Sequence, residues 1–78
     1  MNVVAEFLVE PFREGALGPH VTAAIDALER SGLSVEIGPF GSSVSGEVRE
    51  TLEAMTDALV AAIESGASRV SLNVTVES

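Results

Sequence analysis

The chain contains no cysteine, no lysine and a single histidine, His20. Disulfides, thiolate metal sites and cysteine nucleophiles are therefore excluded, and one histidine cannot build a multi-histidine site. The chain has four arginines and twelve acidic residues, and the resulting net charge of −8 repels nucleic acid and anionic lipid surfaces. We expect no metal ion, no cofactor, no nucleic-acid partner and no membrane partner.

Long apolar runs are also missing, since no stretch reaches the roughly 18 residues of a membrane span. The segment from Met1 to Val9 has no basic region and carries Glu6 in its middle, which predicts a cytoplasmic protein without a targeting signal. The 78 residues, 46% of them apolar, fit one domain over residues 1–78. Ordering such a chain costs on the order of 120 kcal/mol of conformational free energy, and the core of so small a domain exceeds this cost only slightly. Because a partner subunit would add buried surface, we expect association into a homodimer or homotetramer.

Apolar and polar residues alternate over residues 3–9 and 70–76, which predicts two strands with unequal faces. Apolar residues at helical spacing predict helices from Pro19 to about Ser31 and from Gly46 or Glu47 to Ser65. A third strand is predicted over residues 33–37, followed by a turn over 38–41 and a weakly marked return strand over 42–45. The order β-α-β-β-α-β predicts a ferredoxin-like α+β sandwich, in which two helices cover one face of a four-stranded antiparallel sheet.

Strand alternation then predicts which side chains lie on the uncovered face of the sheet. If Val3, Phe7, Val35, Ile37, Leu72 and Val74 point at the helices, the opposite face carries Glu6, Leu8, Glu10, Glu36, Asn73 and Thr75. One interpretation is a set of solvated strand positions whose charge prevents aggregation. The other is a cation-binding surface that a second subunit encloses, because Leu8 and Val4 also lie on this face.

A second candidate region is one end of the sheet. The loops over residues 11–18, 38–41 and 66–68 share this end and bring Phe12, Arg13, His20 and Phe40 within reach of one another. Phe40 could stack on a flat ring, although an aromatic residue here more often caps the core. His20 opens a helix, where histidine is more often a surface or capping residue than a base.

The sequence contains none of the motifs G-x-S-x-G, Walker A, H-E-x-x-H and G-x-G-x-x-G. No spacing of serine, histidine and aspartate indicates a triad, and nothing fixes Glu6 and Glu36 as an acid/base pair. RNA-binding domains of this fold need aromatic residues on the open face and basic surroundings, and both are missing. The sequence therefore contains none of these catalytic templates.

The chain resembles the family of small proteins that bind thiamine or its hydroxymethylpyrimidine portion. The resemblance rests on residues 4–11, on 21–28 with Ser31-Gly32-Leu33, on 35–42, and on Arg69-Val70. Ser42 stands where the family usually has threonine. Ser45 stands where an acidic residue often precedes Gly46-Glu47.

The resemblance implies protomers that assemble through their sheets into dimers or tetramers, with the ligand held near subunit or repeat interfaces. It also implies that the protein binds its ligand without catalysing a reaction. Thiamine carries a positive thiazolium and an aminopyrimidine, so an acidic pocket with an apolar or aromatic wall suits it. On this hypothesis Glu6 and Glu36 supply negative charge or accept from the pyrimidine amine, Ser42, Ser43 and Asn73 hydrogen-bond to the ligand, and Phe40 packs on a ring.

Two alternatives stay open. The chain could be a structural module that oligomerises through its open face and has no small-molecule ligand. A hydrolase of the acylphosphatase type is suggested only by the topology and by Arg13 after the first strand, without the expected arrangement of arginine and glycines.

Overall fold

A computed structural model describes residues 1–11, 18–38 and 41–77 of the chain. In these residues the elements follow the predicted order β-α-β-β-α-β. They are β1 (Asn2–Glu10), α1 (Pro19–Arg30), β2 (Glu36–Gly38), β3 (Gly41–Glu47), α2 (Val48–Glu64) and β4 (Arg69–Glu77).

The four strands form one antiparallel sheet in the order β2-β3-β1-β4. Helices α1 and α2 pack against each other and both contact β1, the strand that lies between β3 and β4. The odd-numbered residues of β1, from Val3 to Val9, are buried under the helices, whereas the even-numbered ones are half-buried or exposed. This arrangement confirms the ferredoxin-like α+β fold and leaves the opposite face of the sheet uncovered.

Helix α1 ends in a turn that delays the strand after it. Gly32 has a φ of +85°, which a residue without Cβ adopts readily, and its N–H donates to the carbonyl of Glu29. The N–H of Leu33 donates to the carbonyl of Leu28, and the Leu33 side chain packs against the core. The strand predicted over residues 33–37 therefore starts only at Glu36, so its predicted first residues were wrong.

The return strand is longer than the sequence predicts. It extends over Gly41–Glu47 instead of residues 42–45, because β1 and β2 pair with it on either side. Glu47 then caps α2, since its carboxylate accepts from the N–H of Glu50 at 3.0 Å. The helix consequently begins at Val48, one or two residues later than predicted.

Thr51 in α2 is fully buried, and its hydroxyl has no hydrogen-bond partner among the described residues. Replacing it with valine keeps the shape and removes an unsatisfied polar atom, so T51V is expected to raise the free energy of unfolding by about 1 kcal/mol. Thermal denaturation followed by circular dichroism measures the change. T56V on the same helix is the control. The hydroxyl of exposed Thr56 donates to the Leu52 carbonyl at 3.0 Å, so its loss is not expected to raise the free energy of unfolding. A melting temperature of T51V at or below that of the wild type would contradict the expectation.

Candidate functional site

The pairing register aligns one polar row across all four strands. Glu36 of β2 lies opposite Ser43 of β3, Ser43 lies opposite Glu6 of β1, and Glu6 lies opposite Asn73 of β4. Directly paired residues in an antiparallel sheet point to the same face, and exposed Glu6 lies on the face without helices. The Cα atoms of Glu36 and Glu6 are two strand spacings apart, about 10 Å, with the Ser43 hydroxyl between them.

The neighbouring row on this face contains little side-chain volume. Gly38 of β2 pairs with Gly41 of β3, and Leu8 of β1 pairs with Ser71 of β4. A Cβ built on Gly41 would lie 3.9 Å from the Cβ of Leu8, which places these residues side by side. Two glycines next to two glutamates leave a depression in the sheet surface.

This depression is an open groove of about 520 Å³. Polar side chains of the first row and the apolar Leu8 border the same space, so the groove offers carboxylates, hydroxyls and an amide beside an apolar surface. The described residues that line it include no arginine, lysine or histidine. They are Glu6, Phe7, Leu8, Glu36, Ile37, Gly38, Gly41, Ser42, Ser43, Ser71 and Asn73.

Of the residues predicted to bind ligand, Glu6, Glu36, Ser43 and Asn73 lie together in the polar row. Ser42 also borders the groove, but it pairs with Phe7 and Ile37 and so belongs to the row that faces the helices. Phe40 lies outside the described residues, and its predicted contact with a ring stays a prediction.

Sequence reasoning missed the contribution of Gly38, Gly41 and Ser71. The sequence predicts the two glycines as residues of the turn between β2 and β3. That they also leave space for a groove depends on the register, which brings them beside Leu8. Two open-face positions lie away from the groove: Glu10 pairs with Arg69 at one end of the strands, and Thr75 pairs with Val4.

The predicted meeting of loops at one end of the sheet is seen in part. The N–H of Ser68 donates to the Glu10 carbonyl at 2.8 Å, and His20 Nε2 donates to the Pro11 carbonyl at 2.6 Å. His20 therefore ties the start of α1 to the residue after β1. It does not cap the helix, since Gly18 is the N-cap residue and no side chain among the described residues bonds there to a free N–H of the first turn. Phe12 and Arg13 lie outside the described residues.

Two further kinds of feature are absent from the part of the chain that the structure describes. No three histidine, aspartate or glutamate side chains there approach closely enough to hold a metal ion. No helix in the same residues is long and apolar enough to cross a bilayer.

Fold and groove together define a class: a small ferredoxin-like α+β domain with an acidic depression on its uncovered sheet face. Within this class, the sequence profile of the thiamine-binding protein family matches residues 5–78, nearly the entire chain. The chain therefore belongs to the thiamine-binding protein family.

Solved structures show the same fold. A domain of unknown function from Bacillus cereus is 25% identical, with a TM-score of 0.69 over 95% of this chain and 72% of that one. A hypothetical protein from Methanocaldococcus jannascii is 24% identical, with a TM-score of 0.70 over 99% of this chain and 79% of that one. A Thermotoga maritima protein, provisionally assigned to thiamine biosynthesis or salvage, is 20% identical, with a TM-score of 0.62 over 99% of this chain and 85% of that one. No curated protein matches the chain significantly.

Proposed function

We propose that this protein binds thiamine, or its hydroxymethylpyrimidine portion, in the groove on the open face of the sheet, and that it does so without catalysing a reaction. The observation that carries the proposal is the placement of Glu36 and Glu6 in one row, on either side of Ser43. Membership of the thiamine-binding protein family supports the choice of ligand.

Charge favours a cationic ligand at this position. One carboxylate attracts a unit cation 4 Å away by about 4 kcal/mol at an effective dielectric constant near 20, and solvent exposure of both glutamates reduces this value. The net charge of −8 adds a long-range attraction and repels anionic competitors. Thiamine supplies both a fixed positive charge and an amine that a carboxylate can accept from.

The groove also fits a flat, partly apolar molecule. Leu8 is half-buried on the open face and borders the groove, so it offers a surface for one side of a ring. Ser43 and Asn73 offer a hydroxyl and an amide for the ring nitrogens. We propose that a second copy of the chain covers this face, which would shield the ligand and strengthen its contacts with the carboxylates.

Calorimetric titration of the wild-type protein tests the proposal. Thiamine is expected to bind and to raise the melting temperature by mass action. Hydroxymethylpyrimidine, which lacks the thiazolium charge, is expected to bind more weakly, and choline serves as a cation without rings. If neither thiamine nor hydroxymethylpyrimidine produces a heat of binding or a change in melting temperature, the proposal is wrong. That result would favour the alternative of a structural module without a small-molecule ligand.

A further inference from the structure

Strand β2 is the least attached element of the sheet, although it carries Glu36, one of the two carboxylates of the candidate site. Its three residues pair only with β3, and among the described residues its Cα atoms come within 8 Å of no helix and no other strand. Glu36 is exposed and Ile37 is 56% exposed, so little buried apolar surface holds the strand in place. An element with few buried contacts opens at a lower free energy than the core around it.

The hairpin of β2 and β3 also leaves the central strand before that strand ends. Pairing of β3 with β1 stops at Ser42, opposite Phe7, whereas pairing of β1 with β4 continues to Glu10, opposite Arg69. Beyond Ser42, the end of the hairpin therefore has no backbone ladder to β1.

Both sides of this hairpin end border free space. The groove of about 520 Å³ lies on the open face of the sheet. On the helix side, a space of about 10 Å³, close to the volume that one water molecule needs, lies beside Ile37, Val21 and Val9. Since close-packed interiors contain few such voids, packing does not fix the position of the hairpin end on either face.

Two positions are suited to act as pivots. Val35, directly before β2, packs against the core and fixes the chain up to that residue. Gly41, in β3, has a φ of +146°, a region that glycine enters without the steric cost borne by other residues. Strand β2 can rotate about these two positions while the helices and the central strand stay in place.

We propose that β2 is a movable wall of the groove, and that a cationic ligand closes this wall by attracting Glu36 towards Glu6. The closure depends on the proposed ligand binding in the same groove and describes how the site responds to its ligand. Without a cation, the two carboxylates repel each other and favour the open position. A cation between them is attracted by both, so the closed position binds it more tightly and becomes more populated.

Amide hydrogen exchange followed by NMR reports the opening of β2. The N–H of Val48 donates to the carbonyl of Met1, which continues the pairing of β3 with β1. Even-numbered residues of β3 therefore bond to β1, and odd-numbered residues bond to β2. The amides of Glu36 and Gly38 pair with odd-numbered residues of β3, so β3 alone protects them from exchange.

Without ligand, the amides of Glu36 and Gly38 are expected to be about a hundredfold less protected than the amide of Val44, a buried residue that pairs with β1. Thiamine at a hundred times its dissociation constant is expected to slow their exchange about a hundredfold, because opening then requires release of the ligand. The amides of Gly32 and Gly66 are the controls. They donate to carbonyls at the ends of α1 and α2, away from the groove, and their exchange rates should not change.

E36Q tests whether the carboxylate closes the wall. At the same fractional saturation with thiamine, measured by calorimetry, the Gly38 amide of E36Q is expected to gain less than about a tenth of the wild-type protection, since the amide side chain carries no charge. E29Q keeps Glu36 and is expected to match the wild type. The wild-type exchange rates decide the matter if E36Q cannot be saturated.

The outcomes separate a failure of the movable wall from a failure of ligand binding. If thiamine binds while Glu36 and Gly38 exchange at unchanged rates, the ligand does not close β2, and the proposed function stands. If these two amides are as protected as Val44 without ligand, the wall is rigid and the proposal is wrong. If thiamine produces no heat of binding, the proposed function fails together with closure by a cation, and exchange without ligand alone decides whether β2 opens.

Discussion

The double variant E6Q/E36Q is expected to bind thiamine about a hundredfold more weakly than the wild type. Each substitution replaces a carboxylate by a neutral amide of the same size at opposite sides of Ser43. We expect about a tenfold loss for each, equal to about 1.4 kcal/mol, because solvent exposure reduces the Coulomb attraction available in a closed site. Calorimetric titration of the two single variants and the double variant measures the losses.

The matched control is E29Q, which removes one negative charge from the exposed surface of α1 and keeps the groove intact. It separates the effect of net charge from that of the polar row. The apo form of E6Q/E36Q is expected to melt at or above the wild-type temperature, since the two carboxylates repel each other in the absence of a cation. Unchanged thiamine affinity in the double variant would show that the ligand binds elsewhere.

G41A is expected to lower the free energy of unfolding by about 3 kcal/mol and to abolish thiamine binding at concentrations that saturate the wild type. Gly41 has a φ of +146°, and a Cβ built on it lies 2.8 Å from the carbonyl oxygen of Phe7, a backbone atom that cannot move away cheaply. For a domain of this size the loss corresponds to about 15 °C in melting temperature. Chemical denaturation and thermal melting measure it.

Variants of two other glycines separate the effect of backbone strain, of the contact with the Phe7 carbonyl and of a narrower groove. Gly32 has a φ of +85° and free space around a built Cβ, so G32A should show backbone strain alone, about 1–2 kcal/mol. Gly38 pairs with Gly41, and a Cβ there would lie 3.3 Å from the Gly41 carbonyl oxygen, a tight contact but a longer one than at Gly41, so G38A should cost less stability than G41A while it narrows the groove. A melting temperature for G41A no lower than that of G32A would mean that the Phe7 carbonyl adapts.

The sequence predicted the parts of the fold that local pattern determines. The alternation from Val3 to Val9 corresponds to the buried and exposed faces of β1. In β4 the alternation from Val70 to Val76 separates the two sides of the sheet, but Leu72, Val74 and Val76 stay exposed. Pro19 and Gly32 marked the ends of α1 because their backbone preferences act locally. The hairpin was harder, since β3 has little strand preference of its own and forms because two neighbouring strands pair with it.

The sequence predicts those features of the candidate site that follow from the alternation of side chains between the two faces of a strand. Glu6 and Asn73 were assigned to the open face by alternation alone, and the register places them side by side. The groove itself was not predictable, because it depends on which residues of β2 and β3 oppose each other, and a slip of one residue would separate Glu36 from Ser43. Ser42 illustrates the limit: the hydroxyl was assigned to the site from the family resemblance, in which it stands for a threonine, whereas the register places it opposite Phe7.

The residues that hold the domain together and those that face a ligand lie on opposite sides of the same strands. Ala5 and Phe7 are packed under the helices, while Glu6, between them, contributes nothing to that packing. Substitutions in the polar row can therefore accumulate with little penalty in folding. Such a scaffold is free to exchange one small molecule for another during evolution, and a screen of ligand libraries against variants at Glu6, Ser43 and Asn73 would find new specificities in proteins that still fold.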